Sequence, residues 1–155
     1  MNQTIFAILI NFSQELAFAE EVIELNGVQR IVDNLKENLI EYSKFTRSSL
    51  YFFAISHNAT GTLTASLSKE EKTAKEDKLL TIIQLQLLLL SNLSQNDEAK
   101  RQMLELHRDA EFHGLNFSFM LSWFNHPVIS PTFHFFGNIL ANVTDVKETR
   151  EFVLD

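Results

Sequence analysis

The sequence contains no cysteine and little proline or glycine, and each shortage removes a class of protein. Without cysteine, disulfides and thiolate metal sites are excluded, and a reducing compartment is the simpler expectation. Two Pro and four Gly among 155 residues provide few helix breakers. Together with 45% apolar residues, this composition favours a helical chain with a substantial core.

The chain has fewer basic than acidic residues, and this difference limits the kinds of partner to expect. The chain has 13 Lys and Arg against 20 Asp and Glu, a net charge of -7. This balance argues against nucleic acid or an anionic membrane and favours a basic or apolar protein surface. The longest apolar run, residues 79–93, is shorter than the roughly 18 residues of a membrane span and contains Gln84, Gln86 and Asn92.

What the chain does contain is an internal repeat. Asn11, Asn92 and Asn142 are each followed by an apolar residue and then by a hydroxyl residue. Downstream, each copy reaches an apolar pair and an acid, and the three copies align over seventeen positions. Such agreement within one chain indicates a repeat architecture.

The physical character of one unit can be predicted from its residues. Leucine and isoleucine cover nearly every face of residues 79–90, which predicts a helix buried on most sides. Ser94 or Thr144 can cap the next helix, whose first turn carries Asp97 or Glu148 near the positive end of the helix dipole. Such a unit cannot bury its apolar surface alone, so we expect it to stack on neighbouring units.

The spacing of the copies indicates armadillo or HEAT units. Asn11 and Asn92 are 81 residues apart, close to twice the period of roughly 40–47 residues in those families. This spacing predicts a diverged copy between them, at residues 45–56. The predicted fold is an all-α, right-handed superhelix of about three to four armadillo/HEAT-like units.

The predicted helices follow the short, medium, long order of an armadillo unit. They cover residues 14–25, 28–41 and 45–56, and Asn26-Gly27 ends the first of them. Residues 57–78 interrupt this order as a loop or insertion rich in Ser, Thr and charge. Residues 1–155 form one domain, which we expect to be part of a longer protein because neither end carries the polar cap of a terminal solenoid unit.

No residue pattern predicts catalysis, a metal or a cofactor. The histidines form no i, i+4 pair and join no acid in a recognised ligand spacing. The chain has no Gly-rich phosphate loop, no Gly-x-Ser-x-Gly elbow and no cysteine nucleophile. We therefore expect a protein that is not an enzyme. The histidines are His57, His107, His113, His126 and His134.

The repeated asparagines are the candidate binding residues. In armadillo solenoids the last helix of each unit lines the concave groove, where an asparagine can hold the backbone of an extended peptide. Nuclear import receptors add a tryptophan four residues earlier, and Ala7, Leu88 and Asn138 occupy that position here. The alternative is that the asparagines only finish helices and turn corners. The candidate partner-binding residues are Asn11, Asn92, Asn138 and Asn142.

Residues 133–155, FHFFGNILANVTDVKETREFVLD, resemble the HGH family of armadillo-type adaptors for folding translation elongation factor 2. The shared pattern is an aromatic-rich helix, a leucine-asparagine-hydroxyl corner, then an Arg and an apolar pair before an acid. Residues 5–24 and 87–104 match the family in order and spacing. The family continues into a further C-terminal region.

The resemblance implies a non-enzymatic, cytoplasmic co-chaperone. Such a protein would bridge elongation factor 2 to the ring chaperonin and to heat-shock chaperones, without a cofactor, nucleic acid or membrane. Two other functions fit the predicted fold. One is a general armadillo peptide-binding module in transport or signalling, and the other is a structural subunit of a larger complex.

Overall fold

The computed structural model describes residues 3–55, 69–108 and 134–145, and these ranges contain six helices and no strand. The predicted all-α class is therefore confirmed for the described part of the chain. The helices are α1 (Gln3–Phe12), α2 (Leu16–Glu24), α3 (Gly27–Ile55), α4 (Lys69–Leu93), α5 (Asp97–Arg108) and α6 (His134–Thr144).

The junction of α2 and α3 is a sharp turn that depends on two residues. Asn26 has a φ of 57°, in the left-handed region that asparagine tolerates better than most residues. At Gly27, an added Cβ would lie 2.5 Å from the carbonyl oxygen of Val22, so a side chain there would collide with the backbone. The predicted helix end at Asn26-Gly27 is thus confirmed.

Helix α3 is one continuous helix of 29 residues, so the prediction of two helices at 28–41 and 45–56 was wrong. The residues between them, Tyr42, Ser43 and Lys44, include neither glycine nor proline. The hydroxyl of Ser43 donates to the carbonyl oxygen of Ile40 at 2.7 Å, a bond that a helix accommodates. Nothing in this stretch therefore ends the helix.

Helix α4 lies at the centre of the described structure, in contact with α1, α3 and α6. Its buried residues cover more than half of the helix circumference, so the helix is buried on most sides, as the apolar run predicted. They are Leu79, Ile83, Gln86, Leu87, Leu89, Leu90, Ser91 and Leu93. The core of the described residues is thus organised around α4.

Among the described residues, no diverged copy lies between the first two copies of the repeat, contrary to the prediction. Helix α1 packs directly on α4, and residues 45–55 belong instead to the C-terminal half of α3. The separation of 81 residues arises because α3 and α4 are long helices of 29 and 25 residues. Residues 69–78 of the predicted loop are also helical, since α4 begins at Lys69, and residues 56–68 lie outside the described ranges.

Within residues 3–55, 69–108 and 134–145, no helix has both the length and the apolar character needed to cross a membrane.

Candidate interaction surface

The corners that follow α1 and α4 have the same local structure. Helix α1 ends at Phe12 and α2 begins at Leu16, while α4 ends at Leu93 and α5 begins at Asp97. In each corner the serine amide donates to a carbonyl oxygen four residues back: Ser13 to Leu9 and Ser94 to Leu90, both at 2.8 Å. The sequence similarity at these two corners therefore corresponds to a shared backbone geometry.

The corner hydroxyls bond to the helix that precedes them. Ser13 Oγ donates to the carbonyl oxygen of Ile10 at 2.7 Å, and Ser94 Oγ donates to that of Ser91 at 2.8 Å. Thr144 Oγ1 lies 2.8 Å from the Leu140 carbonyl oxygen and 3.1 Å from that of Ala141. Each hydroxyl thus satisfies a carbonyl at a helix end, where the helix itself offers no donor.

The prediction that Ser94 caps the next helix was wrong. Helix α5 is capped by Asn96, whose Oδ1 accepts hydrogen bonds from the amides of Glu98 at 2.8 Å and Ala99 at 3.4 Å. Asn96 directly precedes the helix, whereas Ser94 lies two residues earlier with its side chain buried in the corner. The expected acid in the first turn is present, as Asp97.

Two of the repeated asparagines join one corner to the next. Asn92 Nδ2 donates to Ser13 Oγ at 3.0 Å, which links α4 to α1. Asn142 Nδ2 donates to Ser94 Oγ at 2.9 Å, which links α6 to α4. We call these two asparagine-to-serine bonds the corner ladder. Each serine hydroxyl donates to a carbonyl oxygen of the helix that precedes it and accepts a hydrogen bond from the asparagine of the next helix in the ladder. Both its donor and its acceptor are therefore used.

The structure brings Asn11, Asn92 and Asn142 onto consecutive packed helices, with different surroundings. Asn92 and Asn142 are half-buried and use their amide groups in the corner ladder. Asn11 and Asn138 are exposed, and in the described part of the chain neither side chain makes a hydrogen bond. A binding role for the four stays a prediction, and Asn11 and Asn138 are the two whose side chains face solvent.

An apolar stripe on α1 was not singled out by the sequence. Ile5, Ile8 and Phe12, spaced three and four residues apart on one helix face, are 47%, 50% and 52% exposed. We call these three residues the α1 stripe. Asn11 lies on the same face, three residues after Ile8. At the next corner, the Phe12 ring packs against that of Phe18, with centroids 5.4 Å apart.

The positions equivalent to the α1 stripe are buried in the other two copies. With the asparagines aligned, they are Gln86, Leu89 and Leu93 in α4, and Phe136, Ile139 and Val143 in α6. All six side chains are at most 1% exposed. Side chains at these three positions of the repeat are therefore buried in α4 and α6 and exposed in α1. The sequence alone does not show this difference, because the residues are apolar in most of the copies.

A polar network sets the alignment of α3 on α4. The buried Gln86 accepts a hydrogen bond from Asn38 Nδ2 at 3.0 Å through its Oε1. Its Nε2 donates to Asn34 Oδ1 at 3.4 Å. Nearer the N-terminus of α4, Lys75 Nζ lies 3.0 Å from Glu41 Oε1. Because these polar groups must meet their partners, sliding α4 along α3 would leave buried polar atoms unsatisfied.

Tyr42 belongs to the same interface, and its pKa is strongly raised. Its side chain is fully buried, and its hydroxyl lies 3.5 Å from Glu76 Oε1. Burial, then the negative charge of Glu76, its hydrogen bond and the charge of Asp77 raise the pKa of Tyr42 to about 12. The phenol thus stays neutral at physiological pH and serves the packing of α3 on α4.

The charged groups around the start of α5 form a shallow, open depression. It is lined by Asp97, Lys100, Arg101 and Asp145. Lys100 Nζ donates to Asp97 Oδ1 at 2.8 Å, and this bond and the charge of Lys100 hold the pKa of Asp97 below its usual value. Asp97 is thus paired with a cation at the start of α5.

The histidines give no metal site in the described structure. Among residues 3–55, 69–108 and 134–145, no three His, Asp or Glu side chains are grouped so that they could hold an ion. His134 is exposed. His57, His113 and His126 lie outside these ranges, and the side chain of His107 is also outside the description.

Compared with protein-family models, with curated proteins and with solved structures, the chain matches none. The resemblance to the HGH family therefore stays a prediction from the sequence.

Proposed function

We propose that this chain is a non-enzymatic scaffold of armadillo-like units that binds other proteins. The observation that carries the proposal is the corner ladder. It joins α1, α4 and α6 through hydrogen bonds between repeated residues, in the order of the chain. Stacked units of this kind make extended surfaces that bind proteins.

The client class proposed is newly made translation elongation factor 2, bound together with the ring chaperonin and heat-shock chaperones in the cytoplasm. The support is the resemblance of residues 133–155 to the HGH family. Two properties of the surface agree with it. A net charge of -7 suits a partner with basic patches, and the exposed α1 stripe suits a partner with apolar ones.

A structural subunit is the second candidate, and the α1 stripe favours it. Contiguous exposed apolar residues on one helix are typical of a surface that is covered in an assembly. A structural subunit would have one stoichiometric partner, whereas a folding adaptor would release its client. A general peptide-binding module would bind through the asparagines that face solvent.

The first experiment is affinity capture from a eukaryotic cytosolic extract, with the bound proteins identified by mass spectrometry. Three forms of the chain are compared: wild type, the double variant Asn11→Ala with Asn138→Ala, and Gln84→Ala as the control. All three substituted residues are exposed, so the variants should fold as the wild type does.

Recovery of elongation factor 2 with chaperonin subunits, on wild type and on Gln84→Ala, would support the folding adaptor. Its loss on the double variant would assign the contact to the exposed asparagines. Recovery of transport cargo, signalling proteins or a single stable partner would refute the elongation factor client and leave the scaffold. If no protein were enriched over an unrelated acidic helical protein, the scaffold proposal would fail as well.

A further inference from the structure

The corner between α2 and α3 contains the single Asn-Gly pair of the sequence, Asn26-Gly27. Every other asparagine in the described ranges is followed by Asp, Phe, Leu, Ile or Val. A side chain of that size shields the main-chain nitrogen of its own residue, whereas glycine has no side chain to do so. The Gly27 nitrogen is therefore less shielded from the preceding asparagine than any of the equivalent nitrogens in these ranges.

The fold holds this pair in place. Asn26 has a φ of 57°, in the left-handed region that asparagine, aspartate and glycine adopt most readily. At residue 27, a Cβ would lie 2.5 Å from the carbonyl oxygen of Val22, so glycine is required there. The conformation of the corner thus selects the two residues whose combination is chemically labile.

The side chain of Asn26 is exposed, and in the described part of the chain it makes no hydrogen bond. Asn92, Asn96 and Asn142, by contrast, all use their side-chain amides in hydrogen bonds. Those bonds hold the amide groups in fixed orientations. The amide group of Asn26 has no such restraint and is free to turn toward the main chain of the corner.

The main chain of the corner is also weakly covered. Glu24 and Leu25, like Asn26, are exposed, and α2 is only nine residues long. The amides of Leu25 and Asn26 bond to the carbonyl oxygens of Glu21 and Ile23 at 3.1 Å each. Exposed ends of short helices open locally at a small cost in free energy, and such opening allows the Gly27 nitrogen to approach Cγ of Asn26.

We propose that Asn26 is a site of spontaneous deamidation in the folded protein. The Gly27 nitrogen loses its proton to water or hydroxide and forms a bond to Cγ of Asn26. The bond from Cγ to the amide nitrogen breaks, and ammonia leaves a cyclic succinimide. Water then opens the ring at either carbonyl, which gives aspartate or isoaspartate. One water is consumed, one ammonia is released, and nothing is oxidised or reduced.

The two products have different effects on the corner. Aspartate keeps the main chain unchanged, tolerates the left-handed conformation and places a negative charge at the positive end of α3. Isoaspartate routes the main chain through Cβ and Cγ, so the carbonyl oxygen that accepts from the Arg30 amide at 3.2 Å becomes part of a free carboxylate. Isoaspartate should therefore open the first turn of α3. This inference depends on the chemistry of the corner and on no client, so it is independent of the proposed function.

Mass spectrometry of the aged protein tests the site. Folded wild type is incubated for weeks at neutral pH in water labelled with heavy oxygen, while circular dichroism verifies that it stays folded. Residue 26 should change from amide to labelled carboxylate about tenfold faster than Asn96, the internal control in the same molecule. The rate should rise with pH, because the Gly27 nitrogen attacks after losing its proton. An enzyme that methylates isoaspartate should label the same peptide.

Brief treatment of the aged protein with trypsin tests the effect of isoaspartate. Arg30 is the first basic residue, so cleavage there releases residues 1–30. The fragment released early should contain more isoaspartate than the same fragment from complete digestion of the denatured sample, in which the asparagine and aspartate forms are the controls. The proposal would be overturned by conversion no faster than at Asn96, by conversion confined to chains unfolded in urea, or by an early fragment without enrichment.

Discussion

At the corner after α1, the hydroxyl of Ser13 serves two helices. It donates to the carbonyl oxygen of Ile10 and accepts from the amide of Asn92, 79 residues away. A net hydrogen bond is worth about 1 kcal/mol, but a buried group that loses its partner costs up to about 3 kcal/mol. The corner asparagines therefore act first on the stability of the stack.

Asn92→Ala should lower the free energy of unfolding by about 1–2 kcal/mol, because it removes the donor to the buried Ser13 hydroxyl. Asn11→Ala is the control at the equivalent position of the repeat. Since the Asn11 side chain is exposed and makes no hydrogen bond in the described structure, its loss should change stability by less than about 0.5 kcal/mol. Urea denaturation of dilute protein measures both, and equal losses would refute this view of the ladder.

Tyr42 should make the fold sensitive to alkaline pH. Its folded pKa is about 12 against an ordinary value of 10.0, so the unfolded chain loses this proton first as pH rises. The contribution to stability is complete below pH 10 and is lost between pH 10 and about 12, at about 1.4 kcal/mol for each unit of pKa difference. Unfolding measured from pH 8 upward should show this fall.

Tyr42→Phe separates this effect from the titration of other groups. The variant keeps the buried ring and loses the phenol hydroxyl, whose contact with Glu76 is long at 3.5 Å, so it should fold at neutral pH. Above pH 10 its stability should decline less steeply than that of the wild type. Parallel declines in the two proteins would show that the phenol of Tyr42 does not cause the alkaline sensitivity.

Helices α1 and α4 carry equivalent positions of the repeat, but the side chains at these positions are buried in α4 and exposed in α1. Helix α4 packs against α1, α3 and α6, whereas α1 packs mainly against α4. Equivalent side chains therefore face different surroundings. This difference lets one substitution be compared at two positions of the same repeat.

Leu89→Ala should cost about 2–5 kcal/mol of unfolding free energy, because it removes buried methyl groups and leaves a cavity. Ile8→Ala, at the equivalent position of α1, should cost less than about 1 kcal/mol in the monomer, since half of that side chain is already in water. Chemical denaturation in dilute solution compares them. A loss at Ile8 as large as that at Leu89 would show that the α1 stripe is covered.

On the scale of the whole molecule, α4 should be the most protected segment. It contacts α1, α3 and α6, and its buried side chains contribute to the apolar core. Helix ends with exposed faces open more readily than a central helix, so the first turn of α1 should open early. The order of local stability should therefore follow the distance from α4.

Hydrogen exchange read by mass spectrometry checks this order. Amides of residues 83–93 should exchange most slowly, and those in the N-terminal turn of α1 should exchange fastest among the helices bordering α4. The measurement is made at low protein concentration, where association between copies would not slow exchange. Equal protection of α1 and α4 under those conditions would contradict the central place of α4.

Much of the local structure followed from sequence pattern. The all-round apolar run predicted the buried α4, and Asn26-Gly27 predicted the turn before α3. The repeated corner was visible from Asn11 and Asn92. Other local features were predicted wrongly because the same side chain can form either of two hydrogen bonds. A hydroxyl such as that of Ser94 can cap a following helix or bond backwards, and the backward bond forms here.

By itself, the sequence determined the helical class, the buried helix and the equivalence of the corners, because these depend on residues within a few turns of one another. Only the tertiary structure decided that α1 lies against α4, that Asn92 bonds to Ser13, and that Ile8 faces solvent while Leu89 is buried. These outcomes depend on contacts between residues 48 or more positions apart. A local pattern shows which side chains are suited to such contacts, but the packing of the helices selects their partners.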